Sequence, residues 1–113
     1  MKVISLAQSP SQRINARLSG RDCTLFLDWR QERLYLGLDV KEKPVCRNAI
    51  CQNRTSILQS PSRDFAGSLH FLDREGDSPP RWDGLYTKIP RPEGRWALIH
   101  VEEGEAVPEA LRF

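Results

Sequence analysis

Several features that would announce a chemistry are scarce or missing in this sequence. No apolar run approaches the roughly 20 residues that a membrane-spanning helix needs. The opening MKVISLAQSP holds few apolar side chains and no small-residue cleavage pattern, so no signal peptide is expected. Charge of one sign is not in excess. The 17 Lys and Arg face 15 Asp and Glu, and a net charge of +2 is too small to argue for a nucleic-acid or membrane partner by itself. Internal repeats are absent, and no stretch carries a convincing helical period. The three cysteines, Cys23, Cys46 and Cys51, are an odd number without a secretion signal and read as reduced thiols. In the same context Asn53-Arg54-Thr55, although it fits the glycosylation pattern, carries no meaning. With 113 residues, 39% hydrophobic and 28% charged, what remains is one soluble globular domain with one modest core.

What is present is a strand pattern. Cys23 to Val40, CTLFLDWRQERLYLGLDV, folds on paper about Gln31-Glu32 and pairs Trp29 with Leu34, Leu27 with Leu36, Leu25 with Leu38 and Cys23 with Val40. Strand side chains alternate with period two, so these eight share one face, and all eight are apolar. The other face sets Thr24, Phe26 and Asp28 against Asp39, Gly37 and Tyr35. A one-residue slip would expose the whole apolar set, which fixes the register. Neither Gln nor Glu favours positive φ, so a four-residue connection, Arg30 to Arg33, is the expected alternative to a two-residue turn.

The rest of the chain adds to this hairpin. Lys2 to Leu6 reads as an extended arm or edge strand. Gln12 to Leu18 alternates as a half-buried strand. A turn at Ser19 to Asp22 would set Leu18 against Cys23, Ala16 against Leu25 and Ile14 against Leu27, with Arg13 opposite Asp28 as a cross-strand ion pair. Lys41 to Pro44 reads as a turn, Val45 to Arg47 as the start of a further strand, and Ala49 to Leu58 as irregular or strand-like. Gly67 to Asp73 and Arg95 to Val101 are strands, the latter apolar on both faces as a central strand would be. Arg74 to Gly94 is a long connection whose Trp82, Leu85 and Tyr86 pack part of it down. The expected fold is mostly β: a single small antiparallel β-barrel or sandwich with a long loop and extended termini. It divides into an arm at 1–10, a core at 11–101 and an acidic tail at 102–113.

Constellations for chemistry are weak. Cys46, Cys51, His70 and His100 could hold zinc only with a Cys spacing wider than usual, and both histidines sit on apolar strands where a structural histidine is commoner. Asp28 and Asp39 each have a basic neighbour that keeps them ionised, so neither suits a general acid. No Gly-rich turn accompanies a cysteine to supply an oxyanion site. Neither catalytic residues nor a cofactor or metal site is expected. Phe26 and Tyr35 beside Arg13, Arg17, Arg30 and Arg33 would suit stacked bases. The plainer reading is that Phe26 covers the gap over Gly37 and the arginines are solvated.

Several stretches together resemble the baseplate plug proteins of contractile-tailed bacteriophages. These are VISLAQSPSQRINARLSGRDCTLFL, LYLGLDV, VCRNAICQNR, FAGSLHFLDREGDSPPRWDGLYTKI and the closing RWALIHV. Lys88 to Gly94 looks like an insertion, and the tail from Glu102 runs past the point where many relatives stop. The resemblance implies a non-enzymatic virion protein of the tail baseplate, assembled in the bacterial host cytoplasm. It would pack as identical copies in a ring or trimer, between the tube or tape-measure end and the central hub. Candidate interface residues are Trp82, Tyr86, Leu85, Arg30, Arg33 and Phe113, since aromatics and arginine dominate hot spots. Alternatively, Trp82 and Tyr86 cap the open end of the barrel. The competing function is a small oligonucleotide-binding β-barrel or a phage assembly protein.

Overall fold

Alternation of leucines along the hairpin builds the middle of a four-stranded antiparallel sheet. The computed structural model describes residues 2–18, 20–54, 56–57, 67–87 and 92–102. Its strands are β1 (Lys2–Ile4), β2 (Ser11–Leu18), β3 (Arg21–Arg30), β4 (Arg33–Val40), β5 (Lys43–Ile50), β6 (Ser68–Asp73) and β7 (Trp96–Val101), with one short 3-10 turn at Trp82–Gly84. Two antiparallel sheets result, ordered β2-β3-β4-β5 and β1-β7-β6. They do not close into a barrel, and the arrangement is that of a sandwich.

The core lies between the sheets. Leu25, Leu27, Leu34, Leu36 and Leu38 of β3 and β4 are each at most 1% exposed. They join one apolar cluster with Leu69 and Phe71 of β6 and Trp96 and Leu98 of β7. The β3–β4 register is the one the alternation demands, from Cys23 opposite Val40 to Trp29 opposite Leu34. All of β7 is buried, as befits the central strand of its sheet. Its second face, Ala97, Ile99 and Val101, forms a smaller cluster with Val3, Leu72 and Tyr86.

Four expectations need correction. First, the β3–β4 connection is a two-residue turn, with Gln31 and Glu32 at φ 51° and 62° and Arg30 paired with Arg33. The right-handed twist of the strands selects a left-handed turn, and pairing of the flanking strands outweighs the local preference of Gln and Glu. Lys41 and Glu42 repeat this between β4 and β5, at φ 51° and 67°, so Lys43 and Pro44 already belong to a strand. Second, β2 is shifted by two residues, placing Leu18 opposite Arg21, Ala16 opposite Cys23 and Ile14 opposite Leu25. The hairpin closes more tightly, and an even shift keeps the same side chains inside. Arg13 therefore lies opposite Phe26, and Asp28 pairs with Arg30 at 2.9 Å instead. Third, the strand after Lys41-Glu42 runs through to Ile50, beyond the Val45–Arg47 start, with register shifts against β4. Fourth, of the two readings of Lys2 to Leu6 the edge strand holds and the free arm does not: β1 pairs with β7 at the sheet edge, and Ile4 and Leu6 are buried.

The β3–β4 turn yields a test. The double substitution Gln31→Asn with Glu32→Gly removes side chains that dislike positive φ, and should stabilise the fold by about 1 kcal/mol. A higher urea midpoint with an unchanged slope is the expected result. A lower midpoint would mean that the native turn side chains make a stabilising contact.

Candidate functional site

The outer face of the β2–β5 sheet concentrates arginines and aromatics. Because residues of like parity share a face, β2 contributes Arg13 and Arg17, β3 contributes Phe26, Asp28 and Arg30, and β4 contributes Arg33, Tyr35, Gly37 and Asp39. Phe26 lies over Gly37, 3.5 Å from where a Cβ would stand. The Arg13 and Arg47 guanidinium groups sit 5.5 and 5.2 Å from its ring centroid. Arg47 also pairs with Asp39. Towards the hairpin tip, Arg30 lies 4.6 Å from the Tyr35 centroid, pairs with Asp28 and donates to Asn48 Oδ1 at 2.6 Å. Arg30, Gln31, Tyr35 and Asn48 line a shallow open recess there. Both half-buried rings are thus accompanied by guanidinium groups, which occupy the position that stacking bases would need. The face offers planar, hydrogen-bonding contact area of the kind protein interfaces use.

At one end of the sandwich, the connection from β6 to β7 is held by Asp73. Its carboxylate is fully buried and accepts two bonds from Arg95, Nε to Oδ1 at 2.6 Å and Nη2 to Oδ2 at 2.8 Å. It also accepts the backbone N–H groups of Glu75 at 3.0 Å and Ser78 at 2.8 Å. The Trp96 indole then donates to the Ser78 carbonyl at 3.1 Å. A bidentate pair with two further donors leaves the buried charge well satisfied. The Arg95 contact, reinforced by those N–H groups, holds the Asp73 carboxyl well below the usual carboxylate range.

This clamp positions the aromatic segment. Gly84 abuts the Trp96 ring so closely that any Cβ there would overlap it. Trp82 is half-buried and packs on the main core, while Arg81 lies 5.6 Å from the Trp29 centroid. Tyr86 is half-buried against the β7 outer cluster, with Arg74 5.4 Å from its centroid. Its N–H donates to the Trp96 carbonyl, and its own carbonyl accepts from Leu6. Trp82 and Tyr86 therefore keep exposed surface, whereas Leu85 between them is 0% exposed. Extended backbone alternates its side chains, so Leu85 turns into the core and cannot be a contact residue. Arg30 is exposed and Arg33 half-exposed at the hairpin tip, and Phe113 lies outside the described residues. The sequence missed Asp73 and Arg95, whose only signal is a lone acid at one strand's end and a lone arginine at the start of another.

The histidines and cysteines have structural partners. His70 Nδ1 donates to the Arg54 carbonyl at 2.8 Å, and Nε2 lies 2.7 Å from the Ser68 hydroxyl. His100 is 1% exposed on β7. Burial pushes all three thiols upward in pKa, Cys51 most strongly, which leaves them protonated and unreactive at neutral pH. Among the described residues no group of three or more His, Cys, Asp or Glu comes together as a metal site.

Ionisation of Asp73 favours the folded state, so its contribution is complete above an unfolded pKa of about 4 and is withdrawn as pH falls below that value. Asp73→Asn should cost about 2–3 kcal/mol at pH 7. The gap to the native chain should narrow steadily below about pH 4, as measured by urea denaturation across pH. A gap independent of pH would show that the carboxylate's charge is not what matters.

No curated protein matches the chain. A family described as cyanophage baseplate Pam3 plug gp18 matches residues 1–90, ending short of β7. That span carries β1 to β6, the Asp73 clamp's acidic partner and the aromatic turn at Trp82–Gly84. Four-fifths of the sequence thus follows one family's pattern, and the chain belongs to the phage baseplate plug family.

Proposed function

We propose that this chain is a non-enzymatic structural subunit at the axis of a contractile phage tail. It packs as several identical copies between the end of the tube or tape measure and the central hub, and is assembled in the bacterial cytoplasm. The observation that carries the reading is the family match over residues 1–90, which assigns a baseplate role. The physical character of the molecule agrees with it. A sandwich held by a buried leucine core and the Asp73–Arg95 ion pair is a stiff block, with its candidate contact side chains, Trp82 and Tyr86, keeping exposed surface. Ring assembly uses such blocks through head-to-tail contacts.

In this reading Trp82 and Tyr86 anchor one contact, and Arg30 and Arg33 at the hairpin tip supply another. Half-buried aromatics lose little conformational freedom when a neighbour covers them, and their exposed remainder is available area. Trp82→Ala should leave the isolated chain folded, with a loss of about 1–2 kcal/mol because only part of the ring is buried. The same variant, supplied to phage lacking the native gene, should fail to enter baseplates. Normal incorporation would remove Trp82 from the interface, and loss of monomer folding would make it a core residue only. Titration with oligonucleotides tests the competing function: no binding at low salt removes it, and tight binding with a steep salt slope would replace the structural reading.

A further inference from the structure

Charges on the outer face of the β2–β5 sheet cancel in pairs, with two left over. Asp22 lies 3.9 Å from Arg17, Asp28 pairs with Arg30 at 2.9 Å, and Asp39 pairs with Arg47. Among the described residues this leaves Arg13 and Arg33 without a carboxylate. Arg13 is exposed beside the Phe26 ring, and Arg33 is half-exposed opposite Arg30 at the hairpin tip. Near them stand apolar side chains that the core does not use. Tyr35 and Ile50 oppose each other on β4 and β5, so both face outward with Phe26. All three are half-buried and belong to neither apolar cluster. The register sets the scale: Gly37 shares a row with Phe26 and Arg13, and Arg33 lies four residues from it along β4. Strand rise and spacing put the two surplus arginines about 16 Å apart, with Phe26 and Tyr35 flanking the line between them.

An apolar strip with an unbalanced guanidinium at each end selects the chemistry of what covers it. The same face of a second copy is disfavoured, because it would bring the surplus arginines of both copies together. Nucleic acid is disfavoured because guanidinium groups already flank Phe26 and Tyr35 where bases would stack. Carboxylates suit both ends. A guanidinium fork binds them bidentately, and the Phe26 ring beside Arg13 already orients one such fork.

We propose that this face docks a different protein of the baseplate through an extended acidic segment. The segment carries two carboxylates about four residues apart, within reach of Arg13 and Arg33, and an apolar side chain between them over Phe26 and Tyr35. An even spacing keeps all three on one side of the segment. This rests on the reading of a baseplate subunit. It adds Arg13 to the contact residues and gives the hairpin tip to a partner other than an identical copy.

Phage particles carrying Arg13→Lys with Arg33→Lys test it, since lysine keeps the charge and adds an amine. A carbodiimide joins that amine to a carboxylate in direct contact, and mass spectrometry of purified virions locates the link. The expected result is a link from position 13 or 33 to Asp or Glu of another tail protein. Each substitution is also made singly, so a defect at one position leaves the other readable. Arg13→Glu with Arg33→Glu should leave the chain folded and lower its incorporation about tenfold or more. Links only to this chain's own acidic residues, in the tail at 102–113 or in a second copy, overturn the proposal. So do links among other virion proteins with none from either position, and so does normal incorporation of the charge-reversed chain. Oligonucleotide binding that the charge reversal abolishes would give the face to nucleic acid instead. Absence of the chain from particles is a separate failure, which removes the baseplate reading and the proposal with it.

Discussion

Everything in this fold depends on the period-two placement of leucine across β3 and β4. Five leucines at no more than 1% exposure fix which face of the hairpin is inside, and hence where the second sheet must lie. Burying a leucine side chain is worth about 1.5–3 kcal/mol, and a one-residue slip would forfeit all of them at once. That cooperative preference is large enough to hold Gln31, Glu32, Lys41 and Glu42 in left-handed backbone that each disfavours locally. The outward residues are then also fixed, so the arginine and aromatic surface is a consequence of the same alternation.

The second sheet depends on β7. Strands β1 and β6 do not pair with each other and meet only through it. Asp73 and Arg95, at the end of β6 and just before β7, tie the intervening segment to that strand, and Trp96 and Gly84 seat its middle. The family match stops at residue 90, before β7. The physical requirement for a central strand nevertheless continues through Val101, because a sheet of β1 and β6 without it would expose Leu69, Phe71 and Ile4.

The sequence makes the fold more legible than the site. The β3–β4 register can be read residue by residue because one face is wholly apolar and the other is not. The β2 register can be read only to within an even shift, since Ile14, Ala16 and Leu18 face inward in either alignment. Turn type misleads because local φ preference is set against the energy of the paired strands, which is larger. Trp82 and Tyr86 stand out as bulky residues in a polar connection, but Leu85 cannot be separated from them until the backbone shows which way it turns. The Asp73–Arg95 pair is invisible because its partners lie 22 residues apart and nothing periodic links them. Family membership is legible as a resemblance and rests on short motifs spread over the strands, not on any one residue.

The central claim is that this protein is a component of the phage particle. Quantitative mass spectrometry of purified virions tests it most directly, by counting copies of this chain against a tail protein of known stoichiometry. The account predicts a small fixed number per particle, in keeping with a symmetric assembly at the tail axis. Absence from mature particles, or a variable trace amount, would contradict it.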